Sequence, residues 1–494
     1  MLLNFKHTAK RRAKIVATLG PTSSDRSALK KLILAGTNVM RLNFSHGDHN
    51  FYKNIIKTIR ELSSELKTPV NILQDLQGPK IRIAKLPKSI LLKKNQKLVF
   101  GFEKDVAAFI KKPSAIFKQH KNISDIIIPV DFKKVASTCK KGSKILIDDG
   151  LIELKVLDIK GSLLLCTVIY DGELHSRKGF CIPGALLPLD PLTKKDLKDL
   201  KFGLDHNVDS VALSFVRNPK DILKLRKLLV KYKKEHVQVI SKIEMLGALD
   251  YLDEIIKCSD SVMVARGDLC VELGASRLPA VQKQIISMAN KYNKPVITAT
   301  QMLDSMIHNP RPTRAEITDV ANAILDGSDA VMLSGETAQG AYPVKCVKTM
   351  HDIILEAEKS LPYYQHLLSS TNTIASVGEA IAASVCLSAK YLNAKVIICL
   401  TTTGQTATHI SSFRPKVPII AATHSKNSLN QLALAWGVSS ISIKAYKNSA
   451  DALKQIQKIL LKKAIVKKGD LVVLSLGLPV DQAASTNSLK IHRI

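Results

Sequence analysis

The strongest constraint on this chain is an alternation. Short β-branched, apolar runs end in a polar residue or glycine, and most are followed by a helical stretch. The runs are KIVATLG (14–20), NVMRLNF (38–44), NILQDL (71–76), SVALSFV (210–216), VQVISKIE (237–244), SVMVARGD (261–268), PVITATQ (295–301) and AVMLSGE (330–336). Helical candidates between them include 25–36, 218–232 and 276–292. Strands buried on both faces read as continuous apolar runs, so the sheet is expected to be parallel. Eight β-α units predict a TIM (β/α)8 barrel, in which chemistry sits at the C-terminal ends of the strands. Polar residues gather at those ends: Arg41, Asn43, Asp75, Lys242, Glu244, Asp268, Thr300 and Glu336.

Two regions break the pattern. From about 83 to 180 the chain has short alternating segments with the turn signals DDG, KGS and DG, which predict a small all-β domain, a β-barrel inserted after the third strand. From about 357 an amphipathic helix pattern (378–392) precedes strand-like runs at 395–401, 417–423, 440–446 and 470–477, the signature of a separate α/β domain. The expected division is barrel 1–82, inserted β domain 83–180, barrel 181–356 and C-terminal α/β domain 357–494.

No apolar run reaches the roughly 18–20 residues of a membrane helix, and the start, MLLNFKHTAKRRAK, has no signal-peptide core. The eight cysteines form no C-x-x-C pair and do not cluster with histidines, so reduced thiols in a cytoplasmic protein are expected. A net charge of +31 raises the question of nucleic acid. The lysines are spread along the whole chain and aromatics are 5% of it, so no segment interleaves basic and stacking residues. Neither nucleic acid nor membrane is expected as a partner.

The chain lacks Gly-Lys, G-x-G and H-E-x-x-H, which excludes Walker A, Rossmann, kinase glycine-loop and zincin signatures. Lys242 and Glu244 are two apart on a strand and project to one side. With Asp268 ending the next strand, they could hold Mg²⁺ and neutralise a phosphoryl group, or form a salt bridge at a barrel rim. Arg41 can fork onto a phosphate, and Asn43, Ser45 and Asp75 offer oxygens for a monovalent cation; the same stretch could be a polar turn capping a helix. Thr401 to Thr406 combine hydroxyls with a helix start, either an anion site or an ordinary N-cap. His46, His49, His206 and His409 read as surface or capping residues, and Trp436 as packing.

KIVATLGPTS, NVMRLNFSHG, DLQGPKIR, SKIEMLGAL, MVARGDLCVELG, TATQMLDSM and NPRPTRAEITDVANAILDGSDAVMLSGETAQGAYPV resemble pyruvate kinase nearly end to end. The resemblance implies phosphoryl transfer from phosphoenolpyruvate to ADP, giving pyruvate and ATP. It implies catalytic roles for Lys242, Thr300 and Arg41, and a substrate seat that adds Arg266, Gly267 and Asp268. Glu244 and Asp268 would hold Mg²⁺, or Mn²⁺ in its place. Asn43, His46, Arg82 and Lys178 match nucleotide-side positions. Asn43, Ser45, Asp75 and the Leu76 carbonyl match a K⁺ site. Thr401, Thr402, Thr403, Gly404, Gln405 and Thr406 match an effector loop for a phosphorylated ligand. The inserted domain would close as a lid, and a homotetramer is expected.

One departure stands out. Many members read D-T-K-G-P-E-I-R where this chain reads Asp75-Leu76-Gln77-Gly78-Pro79-Lys80-Ile81-Arg82. The Glu-to-Lys change at Lys80 resembles the branch that works without K⁺, so K⁺ is expected to be dispensable. The effector loop also departs from the usual S/T-x-S-G-x-T form. A catalytically dead relative is opposed by the intact Lys242, Glu244, Asp268, Thr300 and Arg41.

Overall fold

The computed structural model describes residues 11–109, 117, 119–185, 189–364, 367, 376–478 and 486–494; the basic start over 1–10 lies outside them. Every run of the alternation is a strand. In chain order they are β1 (Lys14–Leu19), β2 (Val39–Asn43) and β3 (Asn71–Asp75). The inserted region adds β4 (Ile90–Leu92), β5 (Lys97–Phe102), β6 (Ile123–Val130), β7 (Lys144–Ile147), β8 (Ile152–Lys160), β9 (Leu163–Val168), β10 (Gly172–Leu174) and β11 (Phe180–Cys181). Then follow β12 (Ser210–Leu213), β13 (Gln238–Ile243), β14 (Ser261–Ala265), β15 (Val296–Ala299) and β16 (Ala330–Leu333).

Strands β1, β16, β15, β14, β13, β12, β3 and β2 close in that order into one parallel barrel. Their interiors are buried on both faces, which is why they read as unbroken apolar runs. Helices end where their chemistry says: Asp25 caps Arg26–Ala35 through the amides of Ser27 and Ala28, and Thr193 and Thr313 each form a reciprocal capping box.

A repeated device ties the N-terminal ends of the barrel strands. The residue just before every second strand accepts a backbone N–H from the strand before it. Asn38 Oδ1 takes the Ile15 amide (3.1 Å), Asp209 Oδ2 that of Ile72 (2.7 Å), Asp260 Oδ2 that of Val239 (2.7 Å) and Asp329 Oδ2 that of Val296 (2.9 Å). These side chains satisfy backbone donors at the buried base of the barrel.

The inserted region forms a six-stranded sheet, β11-β7-β8-β9-β5-β6, and a two-stranded ribbon, β10-β4, around its own apolar core. It is not wholly β. Glu103–Phe109 is a helix packed against β5 and β6, with Glu103 and Asp105 in its first turn. Strand β6 also escaped the alternation test, because ISDIIIPV runs apolar without a period of two, and it pairs parallel to β5. Two chain crossings join this region to the barrel: the Ile83 amide donates to Lys178 O (2.8 Å) and the Phe180 amide to Ile81 O (3.2 Å).

The C-terminal sheet runs β19 (Val438–Ser442), β18 (Ile419–Thr423), β17 (Val396–Leu400), β20 (Leu471–Leu476) and β21 (Ser488–Arg493). The strand expected over 440–446 lies two residues earlier, because the pairing Ile419↔Val438 sets its register. Strand β21 adds an unexpected antiparallel edge. This domain docks under the base of the barrel. Arg414 forks onto Asp329 (2.8 and 3.1 Å), Lys14 Nζ donates to Val438 O (2.6 Å), and Gln431 Nε2 donates to His236 O (2.5 Å). Trp436 is buried under the Arg414 guanidinium, 4.9 Å from ring centroid to Cζ, as packing. All eight cysteines are free thiols, and among the described residues no helix is long and apolar enough to cross a membrane.

Candidate active site

The polar strand ends converge at the C-terminal mouth of the barrel. Arg41 on β2 donates its Nε to Asp75 Oδ2 (2.7 Å) at the end of β3, and one terminal nitrogen to Thr18 Oγ1 (2.9 Å) at β1. Lys242 on β13 donates to Ser214 Oγ (2.8 Å) just past β12. It also lies 3.4 Å from Asp75 Oδ1 and 3.4 Å from Glu244 Oε2. Ser214 in turn donates to the Leu76 carbonyl (2.7 Å). The same side that Lys242 and Glu244 share on the strand is thus the mouth.

These groups shift one another. Burial opposes ionisation of Asp75, but Lys242 and Arg41 outweigh it and hold its carboxyl below the ordinary range. Burial likewise opposes the Lys242 ammonium, and Asp75 and Glu244 outweigh that, raising it above the usual lysine value. At Glu244 burial wins, and its carboxyl is pushed up. Glu244 is fully buried. Its Oε1 accepts the Phe215 amide (2.6 Å), while its Oε2 has no hydrogen-bond partner.

Asp268 stands in the first turn of the helix Arg266–Leu273, which starts directly at the end of β14. Asp268 and Glu244 line one cavity with Lys80, Asp149, Phe180 and Phe215. The orphaned Glu244 oxygen beside a half-buried Asp268 fits a divalent cation. Among the described residues no three His, Cys, Asp or Glu side chains form a closed cage, so such a cation would complete its shell with water or substrate oxygens.

Thr300 follows β15 with φ +70°, and Gln301 with φ +52°. Both sit in the left-handed region that β-branched residues in particular avoid, a strain that functional sites often hold. Thr300 Oγ1 donates to Ala299 O (2.7 Å) and accepts the Gly267 amide (3.0 Å). The Arg266 side chain is engaged by the protein itself, donating to Ala299 O, Thr300 O and Asp319.

Around the loop after β2, Asn43 Oδ1 accepts the Ser45 amide (3.3 Å), and the Tyr52 hydroxyl donates to Asn43 O (2.6 Å) and His46 O (2.5 Å). Burial and the nearby Arg82, Arg41 and Lys195 hold His46 below the ordinary imidazole value, which groups these basic residues on one side of the mouth. Lys178 sits where the inserted region returns to the barrel, paired with Asp148 (2.9 Å). His206 caps its helix through Phe202 O (2.8 Å), and His49 pairs with Asp199 (2.7 Å).

Glu336 is not part of this mouth constellation. It is fully buried and accepts the amides of Leu303 (3.0 Å) and Ser334 (2.6 Å), a clamp on backbone. The loop Thr401–Thr406 does precede a helix, Gln405–Ser412, and Gly404 takes φ +90° where an added Cβ would lie 3.0 Å from Leu432. Its donors are partly engaged within the loop: Thr401 Oγ1 accepts the Gly404 amide (2.9 Å) and Thr406 bonds Thr486. Thr402, Thr403 and Gln405 are exposed.

Four residues escaped the sequence reading: Ser214, Thr18, Phe215 with its amide, and Lys195, which donates to Phe44 O. Ser214 was the most findable, since it is the polar residue directly after β12 in SVALSFV, where the other strand ends carry their polar side chains.

Comparison with known proteins agrees with this geometry. Residues 10–347 match the family model "Pyruvate kinase, barrel domain", and residues 379–492 match "Pyruvate kinase, alpha/beta domain". The chain is 42% identical over 488 residues to a pyruvate kinase of Staphylococcus aureus (strain MRSA252), covering 98% of this chain and 80% of that one. A pyruvate kinase of Staphylococcus haemolyticus is 41% identical over the same shares. A crystal structure of a pyruvate kinase from Cryptosporidium parvum superposes with a TM-score of 0.89 at 35% identity, covering 99% of this chain and 98% of that one.

Proposed function

The chain belongs to the pyruvate kinase family, whose reaction is phosphoryl transfer from phosphoenolpyruvate to ADP, and from that premise we propose which residues carry it out. The observation that carries the reading is the convergence of Arg41, Asp75, Lys242 and Glu244 within 3.4 Å contacts at the barrel mouth, with Asp268 on the same cavity.

Lys242 is the electrophilic group. Three partners fix its ammonium, and it remains positive across the working pH range, so it meets the charge gathering on the transferring phosphoryl oxygens without reorganising. Arg41 spends two nitrogens on Asp75 and Thr18, which orients its remaining terminal nitrogen toward the substrate phosphate. Glu244 and Asp268 would hold Mg²⁺, or Mn²⁺, which when bound would supply positive charge to the phosphoryl transfer. The backbone of Arg266 and Gly267 seats the substrate carboxylate. Thr300 stands by the carbon that gains a proton, its hydroxyl held by Ala299 O and the Gly267 amide.

Asn43, His46, Arg82 and Lys178 form the nucleotide side. The inserted domain, 83–180 in the proposed division of 1–82, 83–180, 181–356 and 357–494, closes over them and excludes water, the competing acceptor. K⁺ is dispensable. The family's K⁺ ligands Asn43, Ser45, Asp75 and Leu76 are present, but Asp75 is already met by two cations and the Leu76 carbonyl by Ser214. Thr401 to Thr406 take a phosphorylated effector, and the enzyme is a cytoplasmic homotetramer.

The test is pyruvate formation from phosphoenolpyruvate and ADP with Mg²⁺, in K⁺ and in tetramethylammonium at equal ionic strength. Equal turnover in both is expected. No pyruvate in either medium overturns the catalytic assignment, and strong K⁺ dependence overturns the K⁺ reading alone.

A further inference from the structure

Lys80 stands on the metal side of the mouth, in the cavity that Glu244 and Asp268 line. Its Nζ donates to Asp268 Oδ1 at 2.8 Å, with 27% of the lysine side chain and 34% of the aspartate side chain exposed. Glu244 and the lid residue Asp149 line the same cavity. Room for the lysine stem comes from Gly179 at the lid crossing, where an added Cβ would lie 2.7 Å from Lys80 Cε. Gly179 itself bridges Arg82, so Lys80 runs from the lid hinge to the carboxylate.

This arrangement puts one charge in two roles. A divalent cation needs the lone pairs of Asp268, and an ammonium 2.8 Å away already occupies one of its oxygens and repels a second positive charge. The oxygen left without a hydrogen bond is Glu244 Oε2, which faces the Lys242 ammonium at 3.4 Å. Each carboxylate is therefore partly satisfied from within: Asp268 by Lys80, and Glu244 by the Phe215 amide on one oxygen, with Lys242 at 3.4 Å from the other.

We propose that Lys80 is the resident counter-ion of the divalent-metal site, neutralising Asp268 in the metal-free enzyme and displaced from it when metal binds, so that Lys80 sets the metal affinity of the free enzyme. The proposal rests on Glu244 and Asp268 being the metal ligands. Lys80 is a positioning residue here; it competes for a ligand and need not touch substrate.

The experiment measures Mn²⁺ binding to the substrate-free enzyme, by the electron paramagnetic resonance signal of unbound Mn²⁺, for the native chain, Lys80→Met, Lys80→Arg and Glu244→Gln. Removing the competing charge is expected to tighten Mn²⁺ about ten-fold in Lys80→Met, the lower end of what neighbours of metal ligands are worth. Lys80→Arg, which keeps the charge, stays near native affinity. Unchanged or weaker binding in folded Lys80→Met overturns the proposal, as does tightening in Lys80→Arg equal to that in Lys80→Met. Lys80→Gln replaces Lys80→Met if the latter does not fold, with the same expectation. Native-like Mn²⁺ binding by Glu244→Gln would instead overturn the assignment of the metal ligands.

Discussion

The two ends of the barrel bury charge in opposite ways. At the base, carboxylates are saturated. Asp329 takes the Val296 amide and both arms of Arg414, and Arg414 also reaches Gly327 O and Asn290. Glu358 accepts the amides of Arg12 and Ala13. At the mouth, Lys242 stands 3.4 Å from both Asp75 and Glu244, and one Glu244 oxygen has no hydrogen-bond donor. A buried ionic group that is fully bonded holds elements together; one left with spare capacity is prepared for something that arrives. The comparison separates structural from reactive charge without reference to sequence position.

The base gives the largest expected effect. Arg414→Met leaves Asp329 buried with only the Val296 amide as donor, and should cost about 3–5 kcal/mol of stability. Denaturant unfolding checks this; a loss within error of zero would place Arg414 among ornamental ion pairs.

At the mouth the expectation reverses. Lys242→Met should lower turnover on the order of 10²-fold or more while the unfolding midpoint stays near native, because the group's value lies in the transition state. Near-normal turnover, or collapse of the fold, would erase the distinction between the two ends.

A smaller effect belongs to Lys14, buried at the base with its Nζ on Val438 O. Burial, with Arg11 and Arg12 acting in the same direction against Glu358 and Asp329, lowers its pKa to about 7 from 10.5. The unfolded chain holds that proton to higher pH, so between about 7 and 10.5 it binds more protons than the folded chain. Stability therefore rises with pH in that window, by at most about 1.4 kcal/mol per unit, and the contribution is unfavourable below it. Unfolding curves of native protein and Lys14→Met at several pH values should diverge in slope; parallel slopes refute the titration.

The smallest effect concerns Lys80→Glu. Reversing that charge beside Asp268 should create K⁺ activation of a few-fold, read as turnover in K⁺ against tetramethylammonium, with Leu76→Thr added if the single change is silent. No K⁺ response in either variant would separate Lys80 from cation dependence.

Much of this was legible in the chain. Eight apolar runs gave eight barrel strands, and their polar ends gave Arg41, Asp75, Lys242, Glu244 and Asp268, because position along a parallel strand and nearness to the mouth are the same thing. Glu336 shows the limit: it occupies an equivalent strand end, yet backbone amides of Leu303 and Ser334 absorb its charge. The helix Glu103–Phe109 and strand β21 were missed because neither has a strong period of its own; neighbours supply their burial and pairing.

The sequence alone determined the barrel, the inserted and appended domains, and which side chains reach the mouth, since periodicity and strand direction are local properties carried along the backbone. Only the tertiary structure decided which charges are spent and which are free. That Lys80 pairs with Asp268, that the Phe215 amide takes one Glu244 oxygen and leaves the other without a donor, and that Arg414 is locked to Asp329 depend on residues 188, 29 and 85 positions apart. Electrostatic pairing follows distance in space, and distance in space is set by packing.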